Sequence, residues 1–361
     1  MRIVSPVLKT IVYPALAAAG IFHRMHASGL AIVTYHGVRP PGYVPIDAAF
    51  DGNLVSADVL RGQVGLLKSY YNVICPEEFL DWRQNGHGLP PKAVLLTCDD
   101  GLLNCLTDML PVLQQESVKC LFFVTGASAT DVRSMLWYEE LFLLFLKGPA
   151  GPVDISSEGI TIRGTLDSRE QRRAVWWDSV ERLSQVNAIR RACFLHSLRD
   201  RFAIDSDLVY LGNSSSPSCR RYGLLTGAEV RQLISAGMSI GAHTLSHPML
   251  SQLPPALAYE EIADSRTRLE SALNRTVWAF AYPFGDAQSV TPQVLAMPRE
   301  AGYQAALLNF GGGLGSGLPP YALPRIHVTA AMRLSELEAH VSGFYTRLQR
   351  CARRSVLGGM S

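Results

Sequence analysis

Seven short, almost continuously apolar runs recur along the chain, and each is followed by a stretch with helical periodicity. The runs are Ala31–His36, Val94–Asp100, Cys120–Gly126, Ser239–Thr244, Trp278–Pro283, Ala305–Asn309 and Arg325–Val328. A strand that is apolar on both faces must be covered on both, which is the condition of parallel α/β sheets. Several of the intervening helix starts are signalled. Thr226 with Glu229 and Ser335 with Glu338 have capping-box spacing, and Thr291-Pro292 offers an N-cap followed by proline in the first turn. About seven strand–helix units in series predict a barrel of the (β/α) type, with an open doubly wound sheet as the competing architecture. The absence of a glycine-rich loop after the first run weakens the nucleotide-binding form of that alternative.

The rhythm breaks between about residues 147 and 221. This stretch opens on Gly148-Pro149-Ala150-Gly151-Pro152, carries an arginine-rich helical pattern through Arg201, and closes on Asn213-Ser214-Ser215-Ser216-Pro217. It is expected to be a helical insertion in a barrel domain spanning 31–345. An apolar and basic segment, 1–30, precedes that domain and a basic tail, 346–361, follows it. The chain has 361 residues, 48% hydrophobic and 18% charged, which suits one large domain with an insertion. A formal net charge of +2 gives no footing for nucleic acid as a partner.

The charge is unevenly placed. No acidic residue precedes Asp47 and none follows Glu338, whereas Arg2, Lys9, Arg24 and Arg39 lie at one end and Arg347, Arg350, Arg353 and Arg354 at the other. Such ends suit peripheral contact with an anionic membrane surface, or are simply solvated termini; both readings stand. The apolar stretch Ile11–Phe22 is too short to span a bilayer, and Lys9 and His23-Arg24 argue against a signal peptide. A short interfacial helix or a helix docked on the protein is expected. Seven cysteines, an odd number without framework spacing, suit free thiols in a reducing compartment. The expected location is therefore cytoplasmic or peripheral at the membrane, with export still open.

Three runs end in polar residues, and strand C-termini are where barrel folds assemble their sites. Val94–Gly101 ends in the adjacent carboxylates Asp99 and Asp100, a costly pair if buried together unless a cation sits beside them; an acidic turn is the plain alternative. His243 and His247, three residues apart, can present two imidazoles to one metal. Trp278–Gly285 ends in Pro283-Phe284-Gly285, a rigid turn able to aim a backbone N–H into a cleft.

Together these segments resemble the polysaccharide deacetylase family, carbohydrate esterase family 4, also called the NodB-homology domain. Thr97-Cys98-Asp99-Asp100-Gly101 is similar to its Thr-Phe-Asp-Asp-Gly motif, and His243-Thr244-Leu245-Ser246-His247 to its His-[Ser/Thr]-x-x-His motif. Ala281-Tyr282-Pro283-Phe284-Gly285 corresponds to its Arg-Pro-Pro-Tyr-Gly turn. Thr34-Tyr35-His36-Gly37 and Leu323-Pro324-Arg325-Ile326-His327 extend the likeness from about 31 to 345. The resemblance implies a distorted (β/α)7-type, TIM-like barrel, with Asp100, His243 and His247 as ligands of a divalent metal. Zn2+ suits that set best, with Co2+, Ni2+ or Fe2+ as alternatives. It implies Asp99 as general base, the Phe284 turn with Tyr282 on the oxyanion and substrate side, and His327 as the proton donor to the leaving amine.

The chain also departs from the family pattern. Ala281 stands where the family has an arginine that pairs with the base, and Arg325 is the residue expected to reach Asp99 instead. His327 follows Leu323 at a spacing one residue longer than the family's. Cys98 replaces an aromatic, and Leu102 replaces a polar or aromatic residue on the expected sugar cleft. His36 is either a group contacting the substrate or site, or a structural histidine. The implied activity is hydrolysis of N-acetyl groups on an amino sugar, with an N-acetylated polysaccharide or a lipid-linked oligosaccharide as substrate. The alternatives are a non-catalytic glycan-binding barrel, and an amidase or deformylase acting on a glycolipid or small amide. In the latter case Trp176-Trp177 of the insertion could form a sugar platform or merely pack a helix.

Overall fold

The structure is a computed structural model that describes residues 6–25, 29–204, 215–286, 288–312 and 319–349. Its central sheet is parallel and closed. In chain order the strands are β1 (Ala31–Tyr35), β2 (Asn72–Ile74), β3 (Ala93–Cys98), β4 (Leu121–Val124), β5 (Pro152–Ser157), β6 (Ile160–Thr165), β7 (Ser239–Ala242), β8 (Ala279–Ala281), β9 (Ala305–Gly311) and β10 (Leu323–His327). β1 pairs with β10 on one side and β3 on the other, through Val33↔Ile326 and Thr34↔Thr97, which closes the ring β1-β3-β4-β7-β8-β9-β10. These seven strands coincide with the seven apolar runs, so the barrel expectation holds. β2 is an extra short strand. It pairs with the lower part of β3 (Val73↔Val94), below the point where β4 joins (Thr97↔Leu121).

Strand alternation separates the apolar residues into two clusters. Ile32, Leu95, Leu121, Phe123, Ala279, Ala281, Leu307 and Leu323 fill the barrel. Val33, Leu96, Phe122, Ile240, Phe280 and Ile326 face the surrounding helices. The interior parity continues upward along each strand. Thr97 and Asp99 above Leu95, His243 above Gly241, and Arg325 and His327 above Leu323 therefore share the mouth of the barrel. Leu102 is buried in the outer core and bridges to Leu224, so it is not a wall of the cleft, as the family comparison had led us to expect.

The insertion is not purely helical. β5 and β6 form an antiparallel hairpin with Val153, Ile155, Ile160 and Ile162 turned inward, an alternation hidden in a segment read for its arginines. Helices Arg169–Leu183 and Ala188–Phe202 follow it. With Trp137–Lys147 they enclose a second apolar core that includes Leu141, Leu144, Trp176 and Leu198. Trp176 packs there and donates its Nε1–H to Tyr138 O at 2.8 Å, while Trp177 is exposed. Part of the closing linker, Asn213-Ser214, lies outside the described residues.

Helical turns from Leu8 to Arg24 dock on the last helices. Tyr13 and Phe22 are fully buried against Ala339 and Phe344. Lys9 pairs with the buried Glu336 at 2.7 Å, and His23 with Glu338 at 3.2 Å. The capping-box expectation at Ser335 fails because the helix Leu334–Val341 is capped two residues earlier, at Arg333, and Glu338 turns to His23. The boxes at Thr226 and the cap at Thr291 form as expected. Among the described residues no helix is long and apolar enough to cross a membrane. Arg2, Arg350, Arg353 and Arg354 lie outside them.

Candidate metal centre

Three turns at the barrel mouth bring Asp100, His243 and His247 together. One ligand atom from each lies within 4.8 Å of the others, and all three residues are buried. Asp100 Oδ1 is 3.4 Å from His243 Nε2 and 3.2 Å from His247 Nε2. The backbone bends sharply to achieve this. Asp100, Thr244, His247 and Phe284 all have left-handed φ values, at 73°, 61°, 58° and 60°. Each such residue costs roughly 1–3 kcal/mol and persists only where the surroundings over-determine it. Gly101 shares the conformation, and a Cβ there would meet Val124 Cγ1 at 2.9 Å.

The donor set fits a divalent cation. His243 Nδ1 sits 2.7 Å from Ala281 O, which assigns its proton to Nδ1 and leaves the Nε2 lone pair facing Asp100. Burial pushes the His247 imidazole below its ordinary pKa against the pull of Asp100, which keeps it neutral at physiological pH. Burial would raise Asp100, but the close approach of the His243 and His247 imidazoles outweighs it and holds the carboxyl well below the usual carboxylate range. One carboxylate and two neutral imidazoles are a common set for zinc-like ions that keep open positions.

Asp99, next to Asp100, points into the barrel and meets Arg325. Arg325 Nη1 lies 2.7 Å from Asp99 Oδ1 and Nη2 lies 2.5 Å from Oδ2. The guanidinium also donates through Nε to Leu308 O at 2.7 Å and through Nη1 to Thr97 Oγ1 at 3.2 Å, and it rests over the Phe123 ring. Burial raises the Asp99 pKa, but the Arg325 charge and hydrogen bonds overcome it, with help from His243 and His36, and the net displacement is downward.

His36 and His327, at the tops of neighbouring β1 and β10, have ring centroids 4.7 Å apart. His36 Nδ1 and His327 Nε2 are buried and have no hydrogen-bond partner among the described residues. Burial, reinforced by His36 and Arg325 and only partly offset by Asp99 and Asp100, pushes His327 down to about 3, so its imidazole is neutral near pH 7. Phe284 packs its ring on His247 at 5.1 Å.

Tyr282 is not on the substrate side. It is fully buried against Phe280 in the outer core, and its hydroxyl donates to Tyr321 O at 2.8 Å. Strand parity sends it outward, opposite to Ala281 and Pro283. Cys98 is likewise a core residue, 3.6 Å from Cys105 through sulfur.

Motif reading missed the groups that the helix Trp137–Lys147, just before the insertion, adds. Tyr138 stacks near both His247 (5.3 Å) and Phe284 (5.8 Å), and Trp137 Nε1 donates to His247 O at 3.0 Å. Behind them Glu139 pairs with the buried Arg221, which also holds Asp51 at 2.7 Å. The adjacent Trp137-Tyr138 was the one visible signal, but no spacing rule joins it to a histidine 110 positions on.

Comparison with known proteins agrees with this geometry. Residues 210–306 match the polysaccharide deacetylase family profile. YxkH of Bacillus subtilis (strain 168), provisionally named a polysaccharide deacetylase, is 27% identical over 117 residues; this covers 32% of the present chain and 41% of that protein. Among solved structures, the deacetylase PplD of Streptococcus pyogenes, in complex with acetate, superposes with a TM-score of 0.55 at 18% identity, covering 87% of this chain and 99% of that one. IcaB from Ammonifex degensii gives 0.54 at 17%, covering 88% and 98%. BC0361, a polysaccharide deacetylase from Bacillus cereus, gives 0.51 at 16%, covering 87% and 69%. At these identities the structural likeness concerns the fold. The stretch that carries the paired histidines and the Phe284 turn thus matches the polysaccharide deacetylase family, and the barrel around it is the one that solved deacetylases adopt.

Proposed function

We propose that the chain is a metal-dependent hydrolase that removes N-acetyl groups from an amino sugar of a polysaccharide or of its lipid-linked precursor. The observation that carries this reading is the convergence of Asp100, His243 and His247 beside an Asp99 held by Arg325. The family match and the shared barrel support it. Asp100, His243 and His247 would hold the cation, most suitably Zn2+. When bound, such an ion polarises the amide carbonyl and acidifies water.

The other residues have separable tasks. Asp99, kept ionised by Arg325, takes a proton from the attacking water. The backbone N–H of Phe284, aimed by its left-handed turn, faces the developing oxyanion. The hydroxyl of the water becomes part of acetate, and its proton is owed to the leaving nitrogen. His327 is neutral in the free protein, so it donates only after receiving that proton. Tyr138 and Phe284 supply an apolar wall beside His247, suited to an acetyl methyl or a sugar face.

Acetate release from N-acetylglucosamine oligomers and from lipid-linked acetylated sugars tests the reading, with metal-loaded, chelated and Asp99→Asn protein compared. Release only by the loaded wild type is expected. Equal release by all three would refute it.

A further inference from the structure

The turn from Thr244 to His247 contains two non-glycine residues in left-handed conformation, so something must hold it. Part of the restraint is local: His247 N–H donates to Thr244 Oγ1 at 3.0 Å. The rest comes from outside the barrel core. Glu261, on the helix Pro255–Leu273, accepts Ser246 N–H through Oε2 at 2.8 Å and also the Ser246 hydroxyl, while its backbone carbonyl accepts Leu245 N–H at 2.9 Å. Arg191, from the insertion helix Ala188–Phe202, closes this arrangement. It reaches the Ser246 hydroxyl, lies 3.5 Å from Glu261, donates to Val186 O at 2.6 Å, and covers the Trp137 ring at 5.2 Å. Trp137 in turn holds the His247 carbonyl.

Arg191 is almost wholly buried on a helix otherwise rich in exposed arginines. A buried guanidinium is costly unless its geometry serves something. We infer that Arg191 is a positioning residue of the metal centre, through which the insertion locks the 244–247 turn and sets His247 against Asp100. The inference rests on the proposed metal reading and gives the insertion a role in it. Arg191 touches neither metal nor substrate; it acts through Ser246, Glu261 and Trp137. Partners behind a ligand typically change metal affinity by about 10–100-fold when removed.

The test uses full-length Arg191→Met, the double variant Arg191→Met/Glu261→Gln, and Arg191→Lys. The double variant removes the buried carboxylate that the single change would strand. Co2+ binding is followed by its visible absorption, Zn2+ by competition, and the metal-free proteins by thermal unfolding. Co2+ affinity at least about 10-fold weaker in the Met variants, with an altered band shape and partial rescue by Lys, is the expected result. A lower melting temperature with wild-type affinity and spectrum in the double variant would make Arg191 merely structural and overturn the inference. A wild type that binds neither ion would instead overturn the metal reading itself.

Discussion

Arg325 and Asp99 face each other as parallel forks, with contacts of 2.7 and 2.5 Å, fully enclosed at the mouth of the barrel. The arginine comes from β10, whereas the family's third motif would place one at the position occupied by Ala281 on β8. Strand parity explains the exchange. Residues 281 and 325 both project inward, and the small Ala281 leaves the interior free while its carbonyl orients His243.

Replacing Arg325 should therefore act on the base. In Arg325→Met the charge that depresses Asp99 is gone, so its pKa rises and the acidic limb of kcat/KM moves to higher pH. Leaving Asp99 buried and unpaired also costs about 3–5 kcal/mol of stability. A pH–rate profile alongside urea unfolding separates the two effects. An unmoved acidic limb would show that Arg325 does not tune Asp99.

Metal removal should be visible without any substrate. An ion that binds only the folded chain stabilises it by about 2.7 kcal/mol at a hundredfold excess over Kd. Thermal unfolding with and without chelator should show a metal-dependent shift in the wild type that is lost in His247→Gln. Identical shifts in both proteins would place the binding elsewhere.

The turn opposite the histidines should tolerate no side chain at Gly285. Its φ is +58°, and an added Cβ would lie 2.5 Å from the backbone nitrogen of Asn309. Gly285→Ala should cost about 2 kcal/mol or more through strain and this clash. A denaturation midpoint equal to wild type would contradict the geometry.

Acid should loosen the N-terminal docking. His340, half-buried beside Tyr345, is pushed from 6.5 to about 4 by burial and by Lys9. Between those values the unfolded chain holds a proton that the folded chain lacks. Stability therefore falls as pH drops from 6.5 to 4 and is flat below, by about 1–2 kcal/mol once solvent screening is allowed for. His340→Gln should have a shallower decline of melting temperature over that window.

The seven barrel strands were legible because a strand covered on both faces must be apolar throughout, and that pattern survives in one dimension. Asp99, Asp100, His243 and His247 were legible because each pair lies within one turn. The β5–β6 hairpin was missed because a charged, amphipathic segment carries helix and strand periods together, and its pairing is decided by the second core it closes. Tyr282 was misplaced because reading a motif as a string ignores that successive strand residues face opposite ways.

By itself, then, the sequence determined the barrel class, the order of its strands and the local ligand turns, all of which depend on short-range pattern. Only the tertiary structure decided that Trp137 and Tyr138 join His247 and that Arg191 braces the turn behind it. It also closed the Arg325–Asp99 pair that the sequence had suggested as a substitute for an arginine at Ala281. Those contacts link residues from 55 to 226 positions apart, and distance along the chain does not constrain which side chains a closed barrel brings face to face.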